Sequence, residues 1–178
     1  MIYVALLRGI NVGGNNKVDM KTLRGTFERA GVKDVRTYIN SGNVIFSSSA
    51  KDQGRLASKL ERAIEGDFDF HVKVLLRDID AMRTVVKALS GEWMDDDTMK
   101  CDVMFLWDGV DTPEVVDELP VKPGIDDARY VPGAILWAAH LQDAKRSGIS
   151  KLAGTPLYKQ ITIRNRNTAR KLLALMEE

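Results

Sequence analysis

The chain has 178 residues, 44% of them hydrophobic and 29% charged, with a net charge of +1. This composition is typical of a globular protein of one domain or two very small ones, and excludes disordered, collagenous and coiled-coil chains. The single Cys101 excludes a disulfide framework and a cysteine-rich metal site, and the apolar runs at residues 3–7 and 134–139 are too short to span a bilayer. We therefore expect a cytoplasmic protein with no membrane association.

The first half of the sequence predicts the order strand, helix, strand, strand, helix, strand. The predicted elements are a strand at 2–7, a helix at 20–30, a hairpin with strands at 35–39 and 44–46, a helix at 56–64 and a strand at 70–76. Asp19 is the expected N-cap of the first helix and Gly31 its stop, and Ser41-Gly42 is the expected hairpin turn. This order is that of the split ferredoxin-like unit.

The second half begins in the same way and then departs. Its predicted elements are a helix at 79–89, a strand at 101–107, a short helix at 112–119, a hairpin with strands at 129–131 and 134–139, a short helix at 142–152, a strand at 160–164 and a helix at 168–176. We predict an α+β fold of two tandem ferredoxin-like (split β-α-β-β-α-β) subdomains, the second diverged. Residues 1–77 and 101–178 are the subdomains, and residues 78–100 supply a helix and an acidic connection. A single mixed sheet is the alternative architecture.

Charge is balanced overall but segregated along the chain. Residues 91–143 carry 13 acidic and 3 basic side chains, whereas residues 144–176 carry 8 basic and no acidic ones. Residues 1–39 add 7 basic against 3 acidic side chains. One interpretation is a solvated acidic face that partly neutralises the basic ends, within the fold or between subunits. The other is a basic surface for phosphate or nucleic acid.

All seven asparagines fall in three segments. They are Asn11, Asn15 and Asn16 in one loop, Asn40 and Asn43 at one hairpin, and Asn165 and Asn167 before the last helix. Turn and capping chemistry explains each segment taken alone. In a split ferredoxin-like unit, however, the first two strands are parallel, so the first loop and the hairpin leave the same edge of the sheet.

That edge is the predicted binding site for an anionic ligand. The expected ligand-binding residues are Arg8, Asn11, Gly13, Gly14, Asn15 and Lys17 in the loop, with Asn40, Ser41 and Asn43 at the hairpin. Together they offer cations, amide donors and the backbone amides of a glycine-rich loop. The loop matches neither the Walker nor the dinucleotide-binding pattern, and we predict no cofactor.

The third segment places basic and amide residues at the start of the last helix. The candidate ligands there are Arg164, Asn165, Arg166, Asn167 and Thr168. Free amides and the helix dipole favour an anion at such a position, and arginine adds bidentate contacts. The alternative is that Asn167 only caps the helix while the arginines are solvated.

Other candidate sites are weak. Cys101 lies in an alternating apolar run, which indicates a buried thiol rather than a nucleophile. His71 and His140 lack the spacing of a metal site, and residues 95–97 (Asp-Asp-Asp) lack the remaining ligands of a calcium loop. We predict no metal site.

Two long motifs make the sequence resemble a known family. Residues 4–15 (VALLRGINVGGN) with Lys17 and Met20, and residues 37–44 (TYINSGNV), closely resemble the bacterial family catalogued as domain of unknown function 1697. Residues 158–168 are similar to its closing motif. The resemblance covers nearly the whole chain and implies a small cytoplasmic α+β protein of two ferredoxin-like halves. It implies no activity.

The sequence therefore favours binding of a phosphate-bearing or other anionic ligand, such as a nucleotide, a sugar phosphate or a nucleic-acid segment. An enzyme acting on a phosphorylated or carboxylate metabolite could use the same pocket, but no catalytic residue is identified; Tyr38, Lys17 and Asp19 are the nearby groups able to carry a proton. The third alternative is a protein-interaction module without a small-molecule ligand. Homo-oligomer formation is left open.

Overall fold

The computed structural model describes residues 1–89 and 91–178 and has an α+β fold. Its first part contains β1 (Ile2–Leu7), α1 (Met20–Arg29), β2 (Lys33–Tyr38), β3 (Asn43–Ser47), α2 (Gln53–Phe68) and β4 (Val74–Asp78). The chain continues with α3 (Ile79–Lys87), β5 (Met99–Leu106), β6 (Asp126–Val131), β7 (Ala134–His140), β8 (Ile161–Asn165) and α4 (Arg166–Met176). The chain divides into two compact units, one of Met1–Ile79 with Leu172–Glu178 and one of Asp80–Lys171. No helix within the described residues is both long and apolar enough to cross a membrane.

The sheet of the first unit has the strand order β2-β3-β1-β4. Both β1 and β2 pair with β3 in the antiparallel sense, so they are parallel to each other. The predicted common edge is therefore confirmed, because the loop after β1 and the turn after β2 leave the same end of this sheet. β4 is antiparallel to β1, and its first residue, Val74, pairs with Leu7 at that end.

The core of the first unit lies between one face of the sheet and helices α1 and α2. Alternate residues of β1 point to the helices, and Tyr3, Ala5 and Leu7 are all buried there. Phe46 of β3 stacks on Tyr3 at 5.7 Å between ring centroids and meets Phe27 of α1 edge-on at 5.6 Å. Full burial of each such ring stabilises the unit by roughly 1.5–3 kcal/mol.

The residues that cap and stop helix α1 are those that the sequence predicts. Asp19 caps α1, and its carboxylate accepts a hydrogen bond from the Thr22 backbone N–H at 2.8 Å. The chain leaves the helix through Gly31, whose φ of +87° is easily reached only without a side chain.

The predicted start of β4 at residue 70 was too early. Ladder pairing begins at Val74, whose N–H donates to the Glu61 carboxylate of α2 at 2.9 Å.

The sheet of the second unit repeats the arrangement with the order β6-β7-β5-β8. One face carries a core that includes Met104, Ile135 and Trp137. Short 3-10 helices cover that core where the first unit has α-helices; they span Asp108–Val110, Pro113–Glu118, Gly148–Gly154 and Pro156–Gln160. A further 3-10 helix spans Leu141–Asp143. The short helices predicted at 112–119 and 142–152 are therefore 3-10 turns, the second interrupted between residues 143 and 148.

Asp126 is the reason for that interruption. Its carboxylate is 8% exposed and accepts hydrogen bonds from Ser147 Oγ at 2.5 Å, the Gly148 N–H at 2.9 Å and Trp137 Nε1 at 3.2 Å. Gly148 packs so tightly that a Cβ would lie 1.6 Å from the Pro120 carbonyl oxygen. A continuous α-helix through residues 147–148 would break these contacts.

The fourth strand of each sheet carries a buried arginine at the same place. Arg77 is the fourth residue of β4 and Arg164 the fourth of β8, and each is 7% exposed. Each Nη1 donates to the carbonyl of the preceding residue at 2.8 Å. Arg77 pairs with Val4 and Arg164 with Val103, on the sheet face opposite the helix-covered core of their own unit.

Candidate anion-binding site

The glycine-rich loop after β1 is a miniature hairpin. The Asn15 N–H donates to the Val12 carbonyl at 3.1 Å, and the Asn11 N–H donates to the Asn16 carbonyl at 3.1 Å. Gly13 and Gly14 have φ values of +60° and +80°, as a two-residue type I′ turn requires at both central positions. The loop is thus an exposed turn, and its tip presents the two glycines to solvent.

The side chain of Asn11 fixes this hairpin in place. Its Nδ2 donates to the carbonyls of Val18 at 3.0 Å and Asn40 at 2.8 Å, and its Oδ1 accepts from the Val18 N–H at 2.8 Å. The hydrogen bond to Asn40 joins the loop after β1 to the turn between β2 and β3. Asn11 itself has a φ of +54°, which asparagine tolerates better than most residues. Its amide is thus a structural bridge rather than a free donor for a ligand.

The turn between β2 and β3 is packed against the end of β1. The Leu7 N–H donates to the Gly42 carbonyl at 2.8 Å, and a Cβ on Gly42 would lie 2.7 Å from the Cβ of Leu7. Asn43 is fully buried, and its Nδ2 donates to the Tyr38 carbonyl and to Ser41 Oγ, each at 3.0 Å. Asn43 therefore shapes the turn from inside and is not accessible to a ligand in this structure.

Three cationic residues gather at this end of the sheet. Arg8 is half-buried, and its backbone N–H donates to the Lys73 carbonyl at 3.0 Å. Lys17 is exposed, and within the described part of the chain its side chain forms no hydrogen bond or ion pair. Lys73 is exposed as well. The sequence interpretation did not include Lys73; the antiparallel pairing of the first and fourth strands, which brings residue 73 back beside residue 8, is the signal that would have found it.

The remaining amide side chains of this end divide into two groups. Asn16 Nδ2 donates to the Gly9 carbonyl at 3.1 Å and so closes the loop. Asn15 and Asn40 are exposed, and in residues 1–89 and 91–178 their side chains make no hydrogen bond. These two amides are the ones that face solvent with donor and acceptor capacity unused.

Asp19 is the acidic residue closest in sequence to the loop. Hydrogen bonds from the Thr22 backbone and hydroxyl lower the pKa of its carboxyl. A carboxylate held in its charged form is a poor proton carrier near neutral pH. It also offsets the positive end of the α1 dipole, so that helix contributes little to anion binding.

The asparagine side chains of the C-terminal segment (residues 164–168) form hydrogen bonds within the protein. Asn165 Oδ1 accepts from the Thr168 N–H at 2.8 Å, so Asn165, and not Asn167, caps α4. Asn167 Nδ2 donates to the Asp95 carbonyl at 2.9 Å. Thr168 is 9% exposed. These polar groups hold the helix start and its neighbouring connection together.

The two arginines of this segment are buried, which differs from the solvated arginines of the alternative interpretation. Arg164 is 7% exposed and Arg166 6%. Burial lowers the pKa of Arg164 to about 10, and its Nη1 also donates to Thr162 Oγ1 at 3.0 Å. The Nε of Arg166 is buried without a hydrogen-bond partner in the described structure. Anion binding by this segment, which lies wholly within the second unit, stays a prediction.

Cys101 and Asp96, which belong to the other candidate sites, are buried or hydrogen-bonded within the fold. Cys101 is a free, buried cysteine, and burial raises the pKa of its thiol to about 11, which removes nucleophilic character at neutral pH. Among the described residues, no three histidine, cysteine, aspartate or glutamate side chains cluster as a metal site would require. In the 95–97 segment, Asp96 accepts hydrogen bonds from the Thr98 and Met99 backbones, and these lower the pKa of its carboxyl.

Comparison with known proteins identifies relatives of unknown function. The chain is similar in structure to the conserved bacterial protein SP0830 from Streptococcus pneumoniae, with a TM-score of 0.85, 29% sequence identity and 98% of each chain covered. No curated protein matches the sequence. The family model described as Protein of unknown function (DUF1697) matches residues 1–137, which include both opening motifs but not the C-terminal segment at 158–168. Because that match spans well over half of the sequence, the chain belongs to the DUF1697 family.

Proposed function

We propose that the protein binds a phosphate-bearing ligand at the end of the first sheet where β1 and β2 finish. The observation that carries the proposal is the hydrogen bond from Asn11 Nδ2 to the Asn40 carbonyl, which holds the loop and the turn together. The cations Arg8, Lys17 and Lys73 and the exposed amides of Asn15 and Asn40 belong to the same end of this sheet.

The chemistry of this surface suits an anion better than a neutral ligand. Charge-assisted hydrogen bonds to phosphate contribute about 1.5–3 kcal/mol each. The exposed Lys17, whose side chain forms no hydrogen bond or ion pair within the described residues, can donate without displacing an internal partner. Gly13 and Gly14 have no atom within 4 Å of the place of a Cβ, so a ligand can approach the backbone there. Asn11, Asn16 and Asn43 then act as positioning residues, because their amides hold the loop and the turn.

An enzyme using the same surface is the second candidate function. It would need a proton carrier, and the lowered pKa of Asp19 makes that carboxyl a weak one. Turnover of a bound phosphate ester would favour this candidate over simple binding. A protein-interaction module, the third alternative, predicts that no phosphate compound stabilises the protein.

The test is a thermal-shift screen with pyrophosphate, ribose 5-phosphate and nucleotides, followed by titration of the compound that raises the melting temperature most. Lys17→Gln should lower the affinity more than tenfold, as loss of one charge-assisted contact predicts. Its melting temperature without ligand should be equal or slightly higher, because Lys17 has neighbouring cations. Lys51→Gln, which removes an exposed lysine after β3 at the other end of the sheet, is the matched control and should change neither quantity. Equal affinities of the two variants and the wild type would refute the proposed site.

We further propose that each unit is a ferredoxin-like subdomain, the second diverged. The matching strand orders and the equivalent arginines Arg77 and Arg164 support an internal repeat. We also propose a cytoplasmic location, which agrees with a buried cysteine in the free thiol form.

A further inference from the structure

Ile39 has a positive φ, which is unusual for its residue type. The described residues include five non-glycine residues with positive φ: Asn11, Asn16, Asp34, Ile39 and Asp69. Asparagine and aspartate tolerate the left-handed region, whereas a β-branched side chain is strained there. A turn selected only for its shape would place asparagine or glycine at position 39. The shape of the turn alone therefore does not explain an isoleucine at this position.

That side chain is not simply part of the core. Ile39 is 49% exposed, and Val12, at the base of the miniature hairpin, is 67% exposed. Val12 follows Asn11, and Ile39 precedes Asn40, the two residues joined by the 2.8 Å hydrogen bond between the loop and the turn. Two exposed aliphatic residues are thus direct chain neighbours of the two residues that this bond joins.

Three kinds of group consequently lie at the same end of the first sheet. The cations suit a phosphate, and the aliphatic residues suit a flat apolar surface. The side chains of Asn15 and Asn40 each present both a donor and an acceptor, which matches the hydrogen-bonding edge of a heterocyclic base. A sugar phosphate would leave the aliphatic residues unused, and a lipid phosphate would leave the amides unused.

We propose that the ligand is a nucleotide unit, that is, a phosphate carrying a planar base, either as a free nucleotide or within a single strand. The base lies against Ile39 and Val12, while Arg8, Lys17 and Lys73 hold the phosphate. This inference rests on the proposed function and adds to it the chemical class of the ligand. It assigns to Ile39 the role of a base-contacting residue whose backbone strain is retained for binding.

The experiment compares Ile39→Asn with the wild type against three probes: adenosine 5′-monophosphate, ribose 5-phosphate and a short single-stranded oligodeoxyadenylate. The wild type should bind the nucleotide at least tenfold more tightly than ribose 5-phosphate. Ile39→Asn should remove that difference and leave ribose 5-phosphate binding unchanged, while its melting temperature rises because asparagine relieves the strain. Leu141→Asn, at an exposed leucine of the second unit, is the control and should keep wild-type binding of all three probes.

The outcomes separate the inference from the proposed function. If the wild type binds ribose 5-phosphate and the nucleotide equally, and Ile39→Asn alters neither, the nucleotide inference fails while phosphate binding stands. If the wild type binds none of the probes, both fail. A lower melting temperature of Ile39→Asn would show that Ile39 is a packing residue and would overturn its assignment. Tighter binding of the oligonucleotide than of the mononucleotide would identify a nucleic-acid strand as the source of the base, and the reverse order a free nucleotide.

Discussion

Residues with a left-handed backbone concentrate at one end of the first sheet. Those with positive φ in this region are Gly9, Asn11, Gly13, Gly14, Asn16, Ile39 and Gly42. Gly14 and Gly42 have nearly the same φ, +80° and +77°, but opposite surroundings. A Cβ at Gly14 would enter open space, whereas one at Gly42 would meet Leu7 at 2.7 Å and Ile10 at 2.8 Å. The two positions therefore separate the cost of backbone conformation from the cost of packing.

Gly42→Ala should destabilise the protein considerably more than Gly14→Ala. The left-handed backbone alone costs an alanine about 1–2 kcal/mol, and overpacking adds about 1–3 kcal/mol at Gly42 only. Urea unfolding of both variants gives the comparison as a difference in the free energy of unfolding. Equal losses would mean that Leu7 and Ile10 move aside at no cost and that Gly42 is needed for its φ alone.

Residue type was enough to locate the candidate site but not to assign each residue its task. The clustering of the asparagines and the parallel direction of the first two strands predicted that Asn11 and Asn40 lie at the same edge of the sheet. In the structure, the Asn11 side chain donates a hydrogen bond to the Asn40 carbonyl. Which amides are used internally depends on distances that no sequence pattern contains. Asn43 is buried, whereas Asn15 is exposed, although each directly follows a glycine in a turn.

Among the elements of the second unit, one buried carboxylate joins several by hydrogen bonds. Asp126 binds the Lys122 and Gly148 N–H groups, Ser147 Oγ and Trp137 Nε1. Burial alone would raise the pKa of its carboxyl, but these hydrogen bonds outweigh burial and lower it. One carboxylate thus ties the start of β6 to β7 and to the 3-10 segment at Gly148–Gly154.

Asp126→Asn should lower the free energy of unfolding at pH 7 by about 2–4 kcal/mol, because an amide would turn a donor toward backbone N–H groups. The folded carboxyl has a pKa below the ordinary value of about 3.9, so its contribution is complete above that pH and is lost as the pH falls through the folded pKa. The difference in the free energy of unfolding between wild type and Asp126→Asn should therefore become smaller below about pH 4. Unfolding curves measured across that pH range test this expectation. A difference that does not change with pH would contradict the assigned role of the charge.

Elements with regular periodicity were predicted well from the sequence, and those shaped by single contacts were not. The continuous apolar run of β1 and the helical spacing of α1 gave the right type and nearly the right ends. The predicted helix at 142–152 failed because the Asp126 carboxylate and the tight packing of Gly148 are contacts between residues distant in sequence. Burial of Arg164 was likewise invisible, since an arginine in a strand is ordinarily exposed.

At the scale of the whole molecule, the two compact units are not two consecutive stretches of chain. Leu172–Glu178 belongs to the first unit, although the whole second unit precedes it in the sequence. Within the first unit, Arg36 of β2 forms an ion pair with Glu178 at 2.9 Å and donates to the Leu175 carbonyl. Leu172 and Met176 are fully buried.

Met176→Ala should cost far more stability than Arg36→Gln. Truncating a fully buried methionine costs about 2–5 kcal/mol, whereas an ion pair between side chains as exposed as Arg36 and Glu178 contributes about 1 kcal/mol or less. Thermal unfolding of both variants, the arginine variant also at high salt, gives the comparison. If Arg36→Gln proves the more damaging, polar contacts rather than apolar burial attach the C-terminal segment.

The late position of Leu172–Glu178 in the chain has a consequence for folding on the ribosome. Residues 1–79 emerge first, yet the unit they build lacks its last segment until the entire second unit has been made. At typical synthesis rates the interval is on the order of 5–20 s, which is long compared with the folding time of a small domain. During that interval the nascent first unit can form its sheet and its helix-covered core, but it stays incomplete, and final closure follows translation of residue 178.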